Sequence, residues 1–235
     1  MLTVAILAGG LATRIRPVTV NIPKSMIEVC GNPFVHWQVK LLQKSGVEEI
    51  VFCLSHKSEV IEDFLGNGSK YGISIRYSLD GKKQLGTGGA IVKALPMLGK
   101  KFMVLYGDSY LPVNYKLIEE AFLNSSKPAL MTIYLNKNEL DVSNVIYSDG
   151  VLKRYAKNES LPNMNYIDFG LSFFERKIFT GYSENETLDL SIICKDLSEK
   201  GLIAGLPVNN RFYEVGSFQG IADFTNFIER KQNEL

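Results

Sequence analysis

A compact apolar run that ends in two glycines is the feature that most constrains the fold. Residues 4–7 (V-A-I-L) lead into Gly9 and Gly10. Runs of this kind are typical of strands buried on both faces of a sheet. Further apolar runs at 50–54, 102–106 and 130–135, and a strand of alternating apolar and polar residues at 73–77, alternate with helix-like patterns. The alternation predicts an α/β fold with a mixed, mostly parallel sheet and helices on both faces.

The pattern changes after about residue 140. Residues 145–147 and 151–155 flank Asp149-Gly150, which predicts a hairpin. A strand is expected at 166–174, and helices at 188–197 (with Ile192 or Ile193 on the apolar stripe) and 218–228. Short strands are expected at 202–206 and 212–215. Because no linker or internal repeat is visible, we expect residues 1–235 to form a single domain, with halves at about 1–135 and 136–235.

Composition and charge exclude several classes of protein. The chain is 46% hydrophobic, and its 26 Lys and Arg against 25 Asp and Glu give a net charge of +1. This balance provides no overall basic field for nucleic acid. The three cysteines are far apart and lack metal-site spacing, so a reducing compartment is expected. With no targeting or spanning segment visible, we expect a soluble, cytoplasmic protein without a membrane partner.

The glycines after the first strand predict an anion-binding loop. Ligands of an open α/β sheet bind at the carboxyl ends of its strands, where glycines expose backbone N–H groups. The hydroxyl of Thr13 and three cations are expected at the same place: Arg14, Arg16 and Lys24. From these residues alone, a glycine-rich turn with solvated cations stays an alternative. Neither G-x-x-x-x-G-K-[ST] nor G-x-G-x-x-G occurs, which argues against a P-loop or a dinucleotide dehydrogenase.

Four segments, in order, resemble the sugar-1-phosphate nucleotidylyltransferases. Residues 7–17 and 23–26 are similar to the family's L-A-G-G-x-x-T-R-x-x-P and P-K-x-M. Residues 84–90 (Q-L-G-T-G-G-A) resemble its nucleobase loop, and 105–109 (L-Y-G-D-S) its G-D segment. Residues 213–217 (Y-E-V-G-S) stand at the place of its D-x-G-[ST]. The resemblance implies a Rossmann-like fold of the nucleotide-diphospho-sugar transferase (GT-A-like) type. It further implies transfer of a nucleotidyl group from an NTP to a sugar 1-phosphate, with release of pyrophosphate.

The resemblance also implies roles for individual residues. Arg14 and Lys24 are the expected catalytic residues, acting on the departing phosphates and on the α-phosphate with the sugar phosphate. Asp108 and Glu214 are the expected ligands of Mg²⁺. The expected nucleotide-binding residues are Leu7, Ala8, Gly9, Gly10, Thr13, Arg14, Lys24, Gln84, Gly86 and Thr87. Glu214 stands where the family usually has Asp, and the role of Arg16 is open between a phosphate contact and a solvated side chain.

The second half is expected to hold the sugar phosphate. By resemblance its contacts are Ser109, Asn144, Lys157, Asp168 and Gly170. Lys157 occupies the lysine position of the family's E-K pair, but Ala156 replaces the acid, which puts one sugar-hydroxyl contact in doubt. The run from Gly66 to Gly89 most resembles bacterial D-glycero-D-manno-heptose 1-phosphate guanylyltransferases, and this favours GTP and heptose 1-phosphate as substrates.

Other functions stay open at this point. A cytidylyltransferase or uridylyltransferase could use another sugar phosphate or a small acceptor such as phosphocholine. A nucleotide-binding paralogue without turnover would be expected to lose Arg14, Lys24 or Asp108, and all three are present. A metal-dependent glycosyltransferase would want a D-x-D motif, and residues 108–110 (D-S-Y) do not provide one. The sequence leaves the oligomeric state open, with a homodimer as one option.

Overall fold

The structure is a computed structural model that describes residues 1–10, 22–136, 142–157, 159 and 161–234. In these residues the strands are β1 (Val4–Leu7), β2 (Glu28–Val29), β3 (Asn32–Pro33), β4 (Glu49–Leu54), β5 (Ser74–Leu79), β6 (Lys101–Tyr106), β7 (Ser109–Tyr110), β8 (Ala129–Leu135), β9 (Val145–Ser148), β10 (Val151–Tyr155), β11 (Tyr166–Glu175), β12 (Ile203–Val208) and β13 (Tyr213–Glu214). The helices are α1 (Phe34–Lys44), α2 (Ser58–Leu65), α3 (Gly86–Ala94), α4 (Tyr115–Asn124), α5 (Leu190–Glu199) and α6 (Phe218–Asn233). A 3₁₀ turn spans Lys24–Met26.

Nine strands of the described residues share one sheet, in the order β10-β9-β11-β6-β1-β4-β5, with β8 pairing β11 and β12. β1 lies between β4 and β6 and runs parallel to both, and β5 is parallel to β4. β11 runs antiparallel to β6, β8 and β9. The predicted mixed α/β sheet is therefore confirmed, with its parallel core in the first half of the chain. The carboxyl ends of β1, β4, β5 and β6 meet at one edge.

Helices cover both faces of this sheet, as predicted. All four residues of β1 are buried. Ala5 and Leu7 belong to an apolar cluster with residues of α3 and α5. Val4 and Ile6 belong to another cluster, with residues of α1, α2 and α4. Because successive strand residues point to opposite faces, a strand between two helical layers must be apolar throughout.

Several boundaries differ from those predicted. α6 continues to Asn233, beyond the predicted end at residue 228. α5 begins at Leu190, because the side chain of Asp189 accepts a hydrogen bond from Ser191 N and caps the helix. On α5 it is Ile193 that is buried, while Ile192 is exposed. Within the described residues, no helix combines the length and apolar character needed to span a membrane.

Candidate active site

A cavity of about 320 Å³ opens at the carboxyl ends of β1, β4, β5 and β6. Eight of the expected nucleotide-binding residues line it: Leu7, Ala8, Gly9, Gly10, Lys24, Gln84, Gly86 and Thr87. Asp108, expected to bind metal, lines it as well. Thr13, Arg14 and Arg16 lie outside the described residues. The carboxyl-edge rule thus brings most of the predicted nucleotide site together in one cavity.

At the β4–β5 end of the cavity, polar side chains gather around the carbonyl of Gly9. Ser55 Oγ donates to Gly9 O over 2.7 Å, and Gln84 Nε2 donates to the same oxygen over 3.0 Å. Asp80 follows β5 directly and also lines the cavity. Its Oδ2 accepts a hydrogen bond from Leu85 N over 3.0 Å. This end therefore offers backbone, hydroxyl, amide and carboxylate groups to a ligand.

The glycines of residues 84–90 allow a close approach within the protein itself. The amides of Gly88 and Gly89 both donate to the carbonyl of Leu188. A Cβ atom on Gly86 would lie 2.6 Å from that carbonyl oxygen, and Gly86 has φ +73°. Only glycine fits such a position without a shift of the backbone. Residues 84–90, the predicted nucleobase loop, are consequently held against the segment that precedes α5.

At the β6 end, a cation and a carboxylate form an ion pair. Lys24 Nζ lies 3.0 Å from Asp108 Oδ2, and both side chains are about three-quarters buried. Gln38 of α1 holds the turn that carries Asp108, because its buried Nε2 donates to the carbonyls of Tyr106 and Ser109, over 2.9 and 2.7 Å. Sequence reasoning missed Gln38, although a polar residue on the apolar stripe of a helix could have indicated it.

A second carboxylate faces the same small space. Glu214 of β13 pairs with Ser109 of β7, and its carboxylate accepts hydrogen bonds from Gly216 N and Ser217 Oγ. A Cβ atom on Gly216 would lie 2.8 Å from Glu214 Oε2, 3.2 Å from Lys24 Nζ and 3.5 Å from Asp108 Oδ2. The two carboxylates lie close to the same ammonium group and offer oxygen ligands of the kind that a small hard cation takes. In the part of the chain that the structure describes, no group of three or more His, Cys, Asp and Glu side chains could hold a metal, so these two stand as a pair.

Lys157 is joined to the predicted nucleobase loop through Asp189. Its Nζ lies 3.1 Å from Asp189 Oδ2. Thr87 Oγ1 donates to Asp189 Oδ1 over 3.1 Å and accepts from Leu190 N over 2.8 Å. The hydroxyl expected near the base is therefore engaged within the protein, and Asp189 links it to the expected sugar-phosphate lysine.

The remaining residues expected near the sugar phosphate lie in β11 or beside it. Asp168 Oδ1 accepts from Gly170 N, while Asn144 Oδ1 accepts from Asp168 N, each over 2.9 Å. Burial raises the pKa of Asp168 to about 6. Gly170 has φ +97°, and a Cβ there would lie 3.6 Å from Tyr106 and 3.9 Å from Ser109 Oγ. Asn144 thus braces the backbone of β11, and Gly170, Ser109 and Tyr106 are neighbours.

Sequence reasoning missed four more residues near the cavity: Ser55, Asp80, Tyr106 and Asp189. Ser55 and Asp80 follow apolar strands, and Tyr106 ends one. They could have been found with the rule already applied to Gly9 and Asp108, because the carboxyl ends of parallel strands share an edge. For Asp189 the sequence offered only the pattern of a helix N-cap, which does not by itself indicate a functional residue.

Comparison with known proteins decides the family. The sequence matches the nucleotidyl transferase family over residues 3–231. The chain belongs to that family. The resemblance to the sugar-1-phosphate nucleotidylyltransferases is thereby confirmed.

The curated relatives of this nucleotidyl transferase differ in the base that they use. The N-acetylmuramate alpha-1-phosphate uridylyltransferase of Neisseria meningitidis is 28% identical over 214 residues, covering 90% of this chain and 92% of the relative. The D-glycero-alpha-D-manno-heptose 1-phosphate guanylyltransferase of Campylobacter jejuni is 27% identical over 212 residues, covering 90% and 93%.

Among solved structures, HddC from Yersinia pseudotuberculosis complexed with GMP-PN is 25% identical, with a TM-score of 0.82. The match covers 97% of this chain and 100% of that one. The nucleotide-diphospho-sugar transferase fold is therefore confirmed for this nucleotidyl transferase.

Proposed function

We propose that this protein transfers GMP from GTP to the phosphate of heptose 1-phosphate, which yields a GDP-sugar and pyrophosphate. The observation that carries the proposal is the cavity at the carboxyl edge of β1, β4, β5 and β6. It joins glycine backbone at Gly9 and Gly10 to a cation and a carboxylate, Lys24 and Asp108. Positioning and charge neutralisation are the main demands of phosphoryl-type transfer.

The reaction needs little from the protein besides that positioning. An oxygen of the sugar phosphate attacks the α-phosphorus of GTP, and the bond to the β-phosphate oxygen breaks as pyrophosphate leaves. Lys24 is proposed to neutralise the α-phosphate and the incoming phosphate. Arg14 is proposed to hold the departing phosphates. Asp108 and Glu214 would hold Mg²⁺, which supplies further charge neutralisation when bound.

The sugar phosphate is proposed to bind between Lys157 and β11. Lys157 is half exposed, so an incoming phosphate can reach its ammonium group. Asp168 offers carboxylate oxygens for sugar hydroxyls, and Gly170 leaves space beside Ser109. The two substrates would then meet near Lys24 and Asp108, between the base end of the cavity and β11.

The nucleobase and the sugar are the finer part of the proposal. Guanine and heptose are supported by the Campylobacter jejuni relative, and guanine also by the GMP-PN complex of the Yersinia pseudotuberculosis protein. The Neisseria meningitidis relative is a uridylyltransferase of similar identity, so uridylyl transfer is the competing outcome of the test.

The test is pyrophosphate release, measured with each of the four NTPs and with dTTP against a panel of sugar 1-phosphates. Mass spectrometry of the products identifies the NDP-sugar formed. GTP with heptose 1-phosphate should give the highest kcat/KM. Turnover with another pair would correct the substrates, and no turnover with any pair at millimolar Mg²⁺ would refute the proposal. A K24A variant is the matched control, because it removes a cavity cation from an otherwise identical preparation.

A further inference from the structure

Asp80 lines the cavity, and hydrogen bonds of its backbone and of one carboxylate oxygen fix its position. It follows β5 at the end of the parallel core. Its backbone N donates to Leu54 O over 2.9 Å, and its carbonyl accepts from Lys93 Nζ over 2.9 Å. Its Oδ2 accepts from Leu85 N. Within the described part of the chain, Oδ1 has no hydrogen-bond partner, so one oxygen stays available to a ligand.

The sheet order decides which part of a nucleotide reaches Asp80. Lys24 and Asp108 lie at the carboxyl end of β6, and β1 and β4 separate that strand from β5. Neighbouring strands are about 4.8 Å apart, so roughly 14 Å lies between the two ends. Because the proposed transfer puts the α-phosphate at Lys24, a nucleotide that spans this distance has its base toward Asp80.

An ionised carboxylate has hydrogen-bond acceptors and no donor, so it binds donor groups and repels acceptor groups. Guanine presents two adjacent donors, N1–H and the 2-amino group, and a single carboxylate group can accept from both. Uracil and thymine present a single ring N–H between two carbonyls, and adenine and cytosine present an amino group beside an unprotonated ring nitrogen. Of the common bases, guanine alone matches a carboxylate along a full edge.

We infer that Asp80 is a base-selecting residue, whose carboxylate accepts hydrogen bonds from guanine N1–H and the 2-amino group. This assignment rests on the nucleotide transfer proposed above and names the residue that selects guanine. Gln84 lies beside it, with its Nε2 on the carbonyl of Gly9, and offers an amide donor to guanine O6 if that bond is exchanged. The neighbouring Ser55 hydroxyl fixes the same carbonyl.

The experiment compares GTP with ITP, which lacks only the 2-amino group. Dissociation constants are measured by isothermal titration calorimetry on the whole chain, without sugar phosphate. The wild type should bind ITP about 10- to 100-fold more weakly than GTP, the range for a lost hydrogen bond to a charged group. Asp80→Asn keeps an oxygen for Leu85 N but replaces the free acceptor by a donor. In this variant the GTP–ITP difference should fall below about threefold. Asp63→Asn, on the exposed side of α2, is the matched control and should keep the wild-type ratio.

The outcomes separate the two proposals. Equal affinity of the wild type for GTP and ITP would overturn the role of Asp80 without any variant, so a folding defect in D80N cannot hide the answer. A full GTP preference retained in D80N would also overturn it. Failure of the wild type to form an NDP-sugar would refute the proposed function instead, because the binding ratio does not depend on turnover.

Discussion

Removing the Lys157 side chain should weaken binding of the sugar phosphate far more than binding of the nucleotide. Lys157 Nζ lies 3.1 Å from Asp189 Oδ2, and the two side chains are 52% and 43% exposed. An exposed pair of this kind contributes roughly 0–1 kcal/mol to folding. Lys157→Ala should therefore change the free energy of unfolding by less than about 1 kcal/mol.

The expected kinetic effect is larger than this change in stability. A charge-assisted hydrogen bond to phosphate contributes about 1.5–3 kcal/mol. Because the bound phosphate replaces the Asp189 carboxylate as the partner of Lys157, the roughly 0–1 kcal/mol contributed by that ion pair must be subtracted. About 0.5–3 kcal/mol remains, which corresponds to a rise of roughly 2- to 150-fold in the KM for sugar 1-phosphate.

The assay is the initial rate of pyrophosphate release, with each substrate varied at saturation of the other. Lys153→Ala is the control, since Lys153 is an exposed lysine on the same hairpin. The KM for the NTP should change less than twofold in both variants. Equal rises in both KM values, or the same rise in the Lys153 variant, would show that Lys157 does not mark the sugar-phosphate pocket.

Three further outcomes are expected. Asp108→Asn should lower kcat at least about 10²-fold and EDTA should abolish turnover of the wild type; full activity under either condition would remove the metal role of Asp108. Arg14→Ala should lower kcat by roughly 10²–10³-fold, with partial recovery in Arg14→Lys, because a point charge cannot reproduce a bidentate grip; wild-type kcat in a folded R14A protein would contradict this. The pKa of Asp168 is raised to about 6 from the usual 3.8, so between these two pH values the folded state holds a proton that the unfolded chain has lost. The free energy of unfolding should therefore fall as pH rises from about 4 to about 6, and Asp168→Asn should flatten this dependence in urea unfolding measured from pH 4 to 7. Parallel profiles for variant and wild type would exclude Asp168 as the cause.

The sequence alone determined the architecture and much of the nucleotide site. Uniformly apolar runs marked strands buried on both faces, and β1, β4 and β6 are such strands. Because the carboxyl ends of parallel strands share an edge, Gly9 and Asp108 could be placed together without coordinates. The four motifs in family order predicted the family. These inferences succeed because each depends on a short stretch of chain and on a general rule of sheet geometry.

Only the tertiary structure decided which side chains meet across that edge. Lys24 contacts Asp108 across 84 positions of sequence, and Lys157 reaches Thr87 through Asp189. Asp80 lines the cavity because β5 ends beside β4, which its own apolar pattern does not reveal. Contacts of this kind depend on how distant segments pack against one another. Local periodicity records which face of an element is buried, but it carries no record of the partner that buries it.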